Sequence, residues 1–148
     1  MTKTDTPVIS NIQILEYIDI GIFKMASRSA VAKELAELFK IISHPDRLRL
    51  IEEMRSGERD VNTLAETLNL PQARVSQHIS LLRAHRLLEE TRDGRRHLYS
   101  LKQPEIADWI LDGFDFIKEP MRGVTADELR EARTLWLQSA APKQQQSS

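Results

Sequence analysis

A group of short polar side chains lies between residues 72 and 80. Ser76, Gln77 and Ser80 recur at spacings that place them on one side of a helix. A glutamine amide can pair with adenine through two hydrogen bonds, and serine hydroxyls can reach either bases or phosphates. A solvated helix surface usually carries more lysine and glutamate. This face therefore indicates contact with the base edges of DNA.

Gln72 and Arg74 flank this face near the start of the helix, where free backbone amides and the helix dipole favour phosphate. The other side of the helix should face the core, at Val75, Ile79, Leu82 and Arg86. His78 lies at the edge of that stripe. We interpret it as a packed or phosphate-facing histidine rather than a metal ligand or a base reader.

A short helix is predicted to precede this one. Asp60 can cap it by accepting a hydrogen bond from a first-turn amide, and Thr63 with Glu66 forms a competing capping box. Residues 69–71 then break the helix, because Pro71 suits the first turn of the next one. Two short helices joined in this way predict a helix-turn-helix, whose second helix enters the major groove of DNA.

A charged hairpin, or wing, is predicted directly after these helices. Two short strands at 87–92 and 95–101 flank Asp93 and Gly94. An Asp-Gly pair favours a two-residue turn because both residues can take a positive φ. The tip should carry three arginines that can contact phosphates or a narrow minor groove: Arg92, Arg95 and Arg96.

The distribution of charge supports the same interpretation. The chain has 21 basic and 22 acidic residues, so its net charge says nothing about nucleic acid. Residues 71–102 hold seven Lys/Arg and three Asp/Glu, a local charge of +4, whereas residues 103–148 hold five basic and eight acidic residues, a local −3. A neutral protein that collects its positive charge on one segment can bind phosphate with that segment.

Helices are also predicted before and after this unit. Residues 9–23 should form an extra N-terminal helix, and Ser27 or Ser29 should cap a separate helix after it. Another helix should begin at Pro45 and end at Gly57.

After the wing, Pro104 should begin a helix that ends at Pro120, and Thr125 with Glu128 should form the capping box of a last helix. The terminal helices carry more large apolar side chains than a small winged core needs. We expect a homodimer to bury them, and packing within one chain is the alternative. The expected interface residues are Ile12, Leu15, Ile18, Ile22, Trp109, Ile110, Phe114 and Ile117.

A chain of 148 residues is long enough for one domain with its own core. The predicted fold class is mainly α with a small β-hairpin, a homodimeric winged helix-turn-helix with extra N- and C-terminal helices. We expect a flexible N-terminus over 1–10, a DNA-binding and dimerisation domain over 11–118, a C-terminal helical extension over 119–139 and a disordered tail over 140–148.

Several classes of site are disfavoured by composition. The chain has no cysteine, which excludes disulfides and thiolate metal sites. It lacks an apolar run that could span a bilayer and a secretory N-terminal pattern, so we expect a cytoplasmic protein without a membrane partner. An enzyme is not predicted, since we find no glycine-rich phosphate loop and no nucleophile–base pair at a recognisable spacing.

Three motifs resemble the ArsR/SmtB family of repressors in their order and spacing. They are residues 39–51, the paired segments 64–70 and 75–79, and residues 87–101. The resemblance covers roughly residues 30–118. It implies a homodimer, joined through the N-terminal and post-wing helices, that binds an inverted-repeat operator and blocks transcription until an inducer loosens it.

The metal-binding positions implied by this resemblance carry other residues here. Where many members have a Cys-x-Cys pair, this chain has Asp60 and Asn62. Where others have aspartate and histidine after the wing, it has Gln103, Glu105, Phe116 and Glu119. Phenylalanine cannot ligate a metal, and one amide with two carboxylates is a poor zinc site. We therefore predict no metal and no cofactor, and the inducer stays unknown.

An acidic stripe on the predicted post-wing helix is interpreted as its water-facing side; it comprises Asp108, Asp112, Asp115 and Glu119. The predicted function is that of a DNA-binding repressor. The alternative is a protein-interaction module, a winged helix that acts through its aromatic terminal helices.

Overall fold

The computed structural model describes the backbone of residues 11–117 and 123–139, and the side chains of residues 19–117 and 123–138. The elements in chain order are α1 (Asn11–Ile42), α2 (Pro45–Met54), α3 (Val61–Leu68), α4 (Gln72–Ala84), β1 (Leu88–Asp93), β2 (Arg96–Leu101), α5 (Glu105–Asp112), a 3₁₀ helix (Gly113–Phe116) and α6 (Ala126–Ser139). This mainly helical fold with one antiparallel hairpin confirms the predicted fold class for the single chain, and the homodimer stays a prediction. The predicted tails, 1–10 and 140–148, lie outside the described residues.

The first helix is longer than predicted. We expected two helices separated near Ser27 and Ser29, but α1 runs without a break through both serines. A serine inside a helix costs less than about 0.7 kcal/mol relative to alanine, and residues 24–30 contain neither glycine nor proline. Nothing in this segment is therefore strong enough to end the helix. The chain divides into two units after Lys40, residues 1–40 and 41–148.

The core of the second unit lies between the helix-turn-helix, the wing and α2. Its largest fully buried side chains are Leu50, Ile51, Met54, Leu64, Leu82 and Val75. Helices α5 and α6, which follow the wing in sequence, also contact α2. They contribute Ala107, Leu111 and Trp136 to the buried core. The predicted α2 begins at Pro45 as expected and ends at Met54, before Gly57.

The turn between α3 and α4 forms as the sequence indicates. The Asp60 carboxylate accepts a hydrogen bond from the Thr63 amide at 2.8 Å, so Asp60 and not Thr63 caps α3. Asn69 ends α3 in the left-handed conformation with φ of 52°, which asparagine tolerates better than most residues. Pro71 follows and α4 begins at Gln72.

The prediction that Arg86 faces the core is wrong. The helix ends at Ala84, two residues earlier, and Arg86 is exposed with a positive φ of 60°. Arg86 therefore belongs to the turn that leads the chain into β1. Val75, Ile79 and Leu82 are buried as predicted.

The wing turn lies one residue later than predicted. Asp93 pairs with Arg96, so the two loop residues are Gly94 and Arg95 rather than Asp93 and Gly94. Gly94 has φ of +63°, and Arg95 is not among the residues with positive φ. A turn with glycine at its first central position needs a positive φ only there, and glycine supplies it. Asp93 is therefore the last residue of β1 and pairs with Arg96.

The helix after the wing is shorter than predicted. It ends at Asp112, and a single 3₁₀ turn continues to Phe116 instead of a regular helix that reaches Pro120. Gly113 stands at this change, and glycine is a poor helix former. The predicted Thr125–Glu128 capping box is confirmed, since the Glu128 carboxylate accepts from the Thr125 amide and the Thr125 hydroxyl accepts from the Glu128 amide. None of the described helices is long and apolar enough to cross a membrane.

Candidate nucleic-acid interface

The outer face of α4 is exposed along its whole length. All five residues predicted to contact DNA from this helix are exposed: Gln72, Arg74, Ser76, Gln77 and Ser80. Among the described residues, the side chains of the two glutamines and the two serines make no hydrogen bond. The inner face is fully packed, with Ile79 only 2% exposed. Because α4 is held entirely from its inner side, its outer polar groups remain available to a ligand.

Arg74 differs from its neighbours because it has a partner within the chain. Its Nε lies 3.3 Å from Oδ2 of Asp46, in the first turn of α2, while its side chain stays 54% exposed. The guanidinium is more than half exposed although Asp46 is only 21% exposed, so a phosphate can reach Arg74 from the solvent side. Asp46 thus positions Arg74 beside the start of α4 without making it unavailable.

The three arginines of the wing tip are all exposed, but they are not equivalent. Arg96 forms an ion pair with Asp60, the residue that caps α3. The Thr63 amide, and after it the Arg96 guanidinium, lower the pKa of Asp60 below its ordinary value. Arg92 and Arg95 form no ion pair within the part of the chain that the structure describes. They are the freer cations of the wing.

Ion pairs and hydrogen bonds hold the base of the wing against the helix-turn-helix. The Glu90 carboxylate contacts His97 across the hairpin and Arg83 of α4 at 2.7 Å, and its hydrogen bond with His97 is the main cause of its lowered pKa. Backbone hydrogen bonds between Arg59 and Tyr99 form an isolated antiparallel bridge on the edge of β2 that faces away from β1. The wing is therefore oriented by α4 and by the segment before α3.

An open cleft of about 460 Å³ lies between the wing and the start of α3. Its lining includes Asp60 and Asn62, the positions where the family resemblance implies a thiolate pair. The Asp60 carboxylate is already engaged as a helix cap and as the partner of Arg96. The Asp60 carboxylate is therefore occupied by partners within the chain.

The predicted dimer residues are only partly described. The side chains of Ile12, Leu15 and Ile18 lie outside the described residues. Ile22 is 61% exposed and Trp109 is 41% exposed. The other three, Ile110, Phe114 and Ile117, are half-buried.

Phe114 packs within the chain instead of standing free. Its ring meets that of Trp136 edge-on, with 5.4 Å between centroids. Helix α6 therefore covers part of the apolar surface that follows the wing. Phe114 and Trp136 therefore pack against each other within one chain.

The acidic stripe after the wing is exposed but not entirely unpaired. Asp108 forms an ion pair with Arg55 of α2, and Asp115 forms one with Arg133 of α6 at 2.5 Å. These carboxylates link the helices after the wing to each other and to the core. Glu119 lies outside the described residues.

One cluster of functional side chains was missed by sequence reasoning. His44, Asp46 and His78 offer ligand atoms that lie within 4.8 Å of one another, where α2 begins and α4 passes by. His44 and Asp46 are neighbours in sequence, but His78 stands in the helix-turn-helix. Three of the four histidines, His44, His78 and His97, lie within the three motifs that resemble the family, but their spacing in sequence does not indicate which of them meet.

A family model described as "Bacterial regulatory protein, arsR family" matches residues 44–90, which include α2, the helix-turn-helix and the start of the wing. The transcriptional repressor PagR of Bacillus anthracis is 35% identical over 72 residues, which are 48% of this chain and 72% of that protein. The chain belongs to the ArsR family of bacterial regulatory proteins. Membership confirms the resemblance found in the sequence and the prediction of a transcriptional regulator.

The other relatives agree with this assignment. The transcriptional repressor SmtB of Mycobacterium tuberculosis is 34% identical over 76 residues, 51% of this chain, and the match spans only 56% of that relative's length.

The winged fold is shared with solved structures. The crystal structure of PagR matches with a TM-score of 0.50 and 31% identity, over 55% of this chain and 94% of that one. The repressor BigR of Xylella fastidiosa matches with a TM-score of 0.56 and 26% identity, over 64% and 96%.

Proposed function

We propose that this chain is a DNA-binding transcriptional repressor that binds an inverted-repeat operator as a homodimer. The observation that carries the proposal is the two-sided character of α4. Its apolar side is buried to 2% exposure or less at Val75, Ile79 and Leu82, whereas its polar side chains stay exposed and mostly unpartnered. A winged helix-turn-helix places such a helix in the major groove.

Each exposed group then has a distinct role. Gln77, in the middle of the polar face, is suited to a bidentate contact with adenine, and Ser76 and Ser80 can approach bases or phosphates. Arg74 and the amides at the start of α4 are suited to a phosphate. Arg92 and Arg95 at the wing tip bind the backbone or the minor groove nearby.

The homodimer rests on the apolar surface of α1. Seven large apolar side chains of this helix are exposed: Ile20, Ile22, Phe23, Met25, Val31, Leu35 and Phe39. Three of them, Val31, Leu35 and Phe39, recur every four residues and form one apolar stripe on the helix. Monomeric proteins rarely leave such large apolar patches exposed, and a second copy of the chain would cover the stripe. Two winged helices held about 34 Å apart read successive major grooves on one side of the duplex.

The test separates base reading from backbone binding. Selection of binding sites from random DNA supplies the operator, and affinity is then measured against salt concentration for that site and for unrelated DNA. We expect Gln77→Ala to weaken operator binding by about 1–3 kcal/mol and to leave binding to unrelated DNA unchanged.

The matched variant removes the two unpaired wing cations, Arg92→Ala with Arg95→Ala. It should weaken binding to both DNAs and lower the salt slope by about two, since each phosphate contact contributes about 0.9. Arg96 is left intact because its ion pair with Asp60 also holds the wing. A parent protein with no affinity for DNA at low salt would contradict the proposed function.

A second candidate function is favoured by one observation. Trp109, Phe116 and Leu135, which follow the wing, are 41%, 79% and 54% exposed. Such residues fit a protein-interaction module that acts through its terminal helices. This candidate replaces the first if the chain fails to bind DNA while substitutions at these residues abolish capture of a defined protein partner.

A further inference from the structure

We propose that His44, Asp46 and His78 form a binding site for a divalent first-row transition metal ion of the Zn²⁺ type. Two imidazoles and one carboxylate are a ligand set that such ions accept, with the remaining position left to water or another ligand. The site links the start of α2, which carries His44 and Asp46, to α4, which carries His78.

The geometry is already close to that of a coordinated ion. Oδ2 of Asp46 lies 3.4 Å from Nε2 of His78 and 4.0 Å from Nδ1 of His44. Ligands about 2.0–2.1 Å from a tetrahedral zinc ion lie about 3.4 Å from one another. The first pair needs no movement and the second needs a contraction of about 0.6 Å. The two histidine nitrogens lie within 4.8 Å of each other, so they need to approach by up to about 1.4 Å through side-chain rotation.

Two of the three ligand atoms are buried without a hydrogen bond. Nε2 of His78 and Oδ2 of Asp46 make none within the described residues, and their side chains are only 12% and 21% exposed. Their polar contacts are with each other at 3.4 Å and, for Oδ2, with Arg74 Nε at 3.3 Å, and both distances are long for a hydrogen bond. A bound cation would satisfy both atoms at once.

The protonation state of His78 favours coordination. Burial and, after it, the neighbouring His44 lower the pKa of His78, while the Asp46 carboxylate opposes this shift. The neutral imidazole, which is the form that binds metals, is therefore the resting form at neutral pH. The two rings lie 4.7 Å apart between centroids.

Two contacts compete with the metal and set its affinity. Nδ1 of His44 accepts the Asp46 amide hydrogen at 3.1 Å and so caps α2, and Arg74 Nε lies 3.3 Å from the same Oδ2. Coordination must replace the cap at His44 and release Arg74 from Asp46. We expect weaker binding than at a closed site with four protein ligands.

The release of Arg74 gives the site a consequence for DNA, and this step rests on the proposed function. In the metal-free protein a phosphate and Asp46 compete for Arg74, and a metal ion on Asp46 removes this competition, so the metal should tighten operator binding. The site is separate from the positions that the family resemblance implied, Asp60 with Asn62 and the helix after the wing.

Metal binding is tested first without DNA, on the full chain, with Zn²⁺ by calorimetry and with Co²⁺ by visible absorption. We expect one equivalent per chain and the intense visible bands of four-coordinate Co²⁺. Because the chain has four histidines and no cysteine, the imidazole ligands can be assigned by substitution. Asp46→Asn and the single changes His44→Asn and His78→Asn should each lower the affinity by at least about tenfold.

The matched control is His85→Asn, which removes an exposed histidine at the end of α4 and should leave the affinity unchanged. Circular dichroism confirms that each variant is folded. If a variant does not fold, the ligands are assigned in the parent by NMR. The imidazole nitrogen chemical shifts of His44 and His78 are then compared with and without Zn²⁺. Absence of stoichiometric binding, or binding that survives the loss of both histidines, would overturn the proposal.

The effect on DNA is measured separately. Zn²⁺ should tighten operator binding in the parent and leave Arg74→Ala unaffected. If metal binds at the three residues but operator affinity stays constant, the coupling to Arg74 is wrong while the site stands. If no DNA binds under any condition, the proposed function fails and the metal titration still decides the site.

Discussion

Helix α4 buries its apolar side chains, whereas α1 leaves most of its large apolar side chains exposed. In α4, Val75, Ile79 and Leu82 are at most 2% exposed and the outer side is polar. In α1, Phe23 and Val31 are 72% and 66% exposed. Both helices are regular, and the difference lies in what covers their apolar faces.

The comparison shows which apolar side chains are buried within a single chain and which are not. The core behind α4 is made by α2, α3 and β1, which contact it or each other within the second unit. We therefore expect α4 to keep its orientation in a single chain. Large apolar side chains of α1 such as Phe23 and Val31 are exposed in a single chain, and we expect their contribution to stability to depend on protein concentration.

The largest expected effect comes from opening the core behind α4. Ile79→Ala should lower the free energy of unfolding by about 2–5 kcal/mol, because it leaves a cavity beneath a fully packed helix. The matched variant Ser80→Ala lies on the outer side and should change it by no more than about 0.5 kcal/mol. Urea unfolding measures both values. Equal losses for the two variants would mean that α4 is not packed from one side only.

The next largest effect concerns the apolar face of α1. Val31→Glu with Leu35→Glu places two charges four residues apart on that face. If a second copy covers it, the variant should sediment as a monomer and bind the operator at least about 100-fold more weakly, since each winged helix then binds alone.

The control for this pair carries the same charges on the other side of α1. Ala26→Glu with Ala30→Glu should remain a dimer with nearly unchanged operator affinity, because these exposed positions are also four residues apart and lie roughly opposite the stripe of Val31 and Leu35 on the helix. A parent chain that sediments as a monomer at micromolar concentration would remove the dimer from the proposed function.

A smaller effect is expected at the cap that sets the start of α3. Asp60→Ala should cost about 1 kcal/mol of unfolding free energy, because it removes the acceptor for the Thr63 amide. Thr63→Ala keeps that amide and should be close to neutral. The pKa of Asp60 is lowered in the fold, so its contribution is present above its unfolded pKa of about 3.9 and is lost as pH falls through the folded value. Denaturant unfolding at pH 7 compares the two variants.

The smallest effect is a pH dependence at the inner edge of α4. The pKa of His78 is lowered from 6.5, so the unfolded chain takes up a proton more readily than the fold does. Its contribution to stability is therefore complete above about 6.5 and is lost as pH falls from there through the lower folded value. The unfolding free energy of the parent, without added metal, should decline over this range. His78→Asn should remove that part of the decline, and an unchanged decline would show that another group causes it.

Much of the helix-turn-helix was predictable from sequence because its signals are local. The apolar spacing from Val75 to Leu82 predicted which side of α4 is buried, and Asn69 with Pro71 predicted the turn. A cap contact spans only a few residues, so Asp60 could be proposed from sequence alone. The choice between Asp60 and Thr63 needed the structure, since both had a suitable side chain.

The errors occurred where two local signals compete and a distant contact decides. Gly94 can occupy either central position of a two-residue turn, and the pairing of β1 with β2 decides which. The apolar spacing alone extended α4 to Arg86, but the chain must turn earlier for Leu88 to enter the core. Neither register nor helix length is a property of a few neighbouring residues.

The sequence by itself determined the family, the order of elements from α2 onward and the polar outer face of α4, because helix periodicity, caps and turns depend on residues close together in the chain. Only the tertiary structure brought His78 to His44 and Asp46 and placed Phe114 on Trp136. These groups are distant in sequence, and their contact depends on how helices pack. Side-chain types can show what chemistry is possible, but packing decides which of them meet.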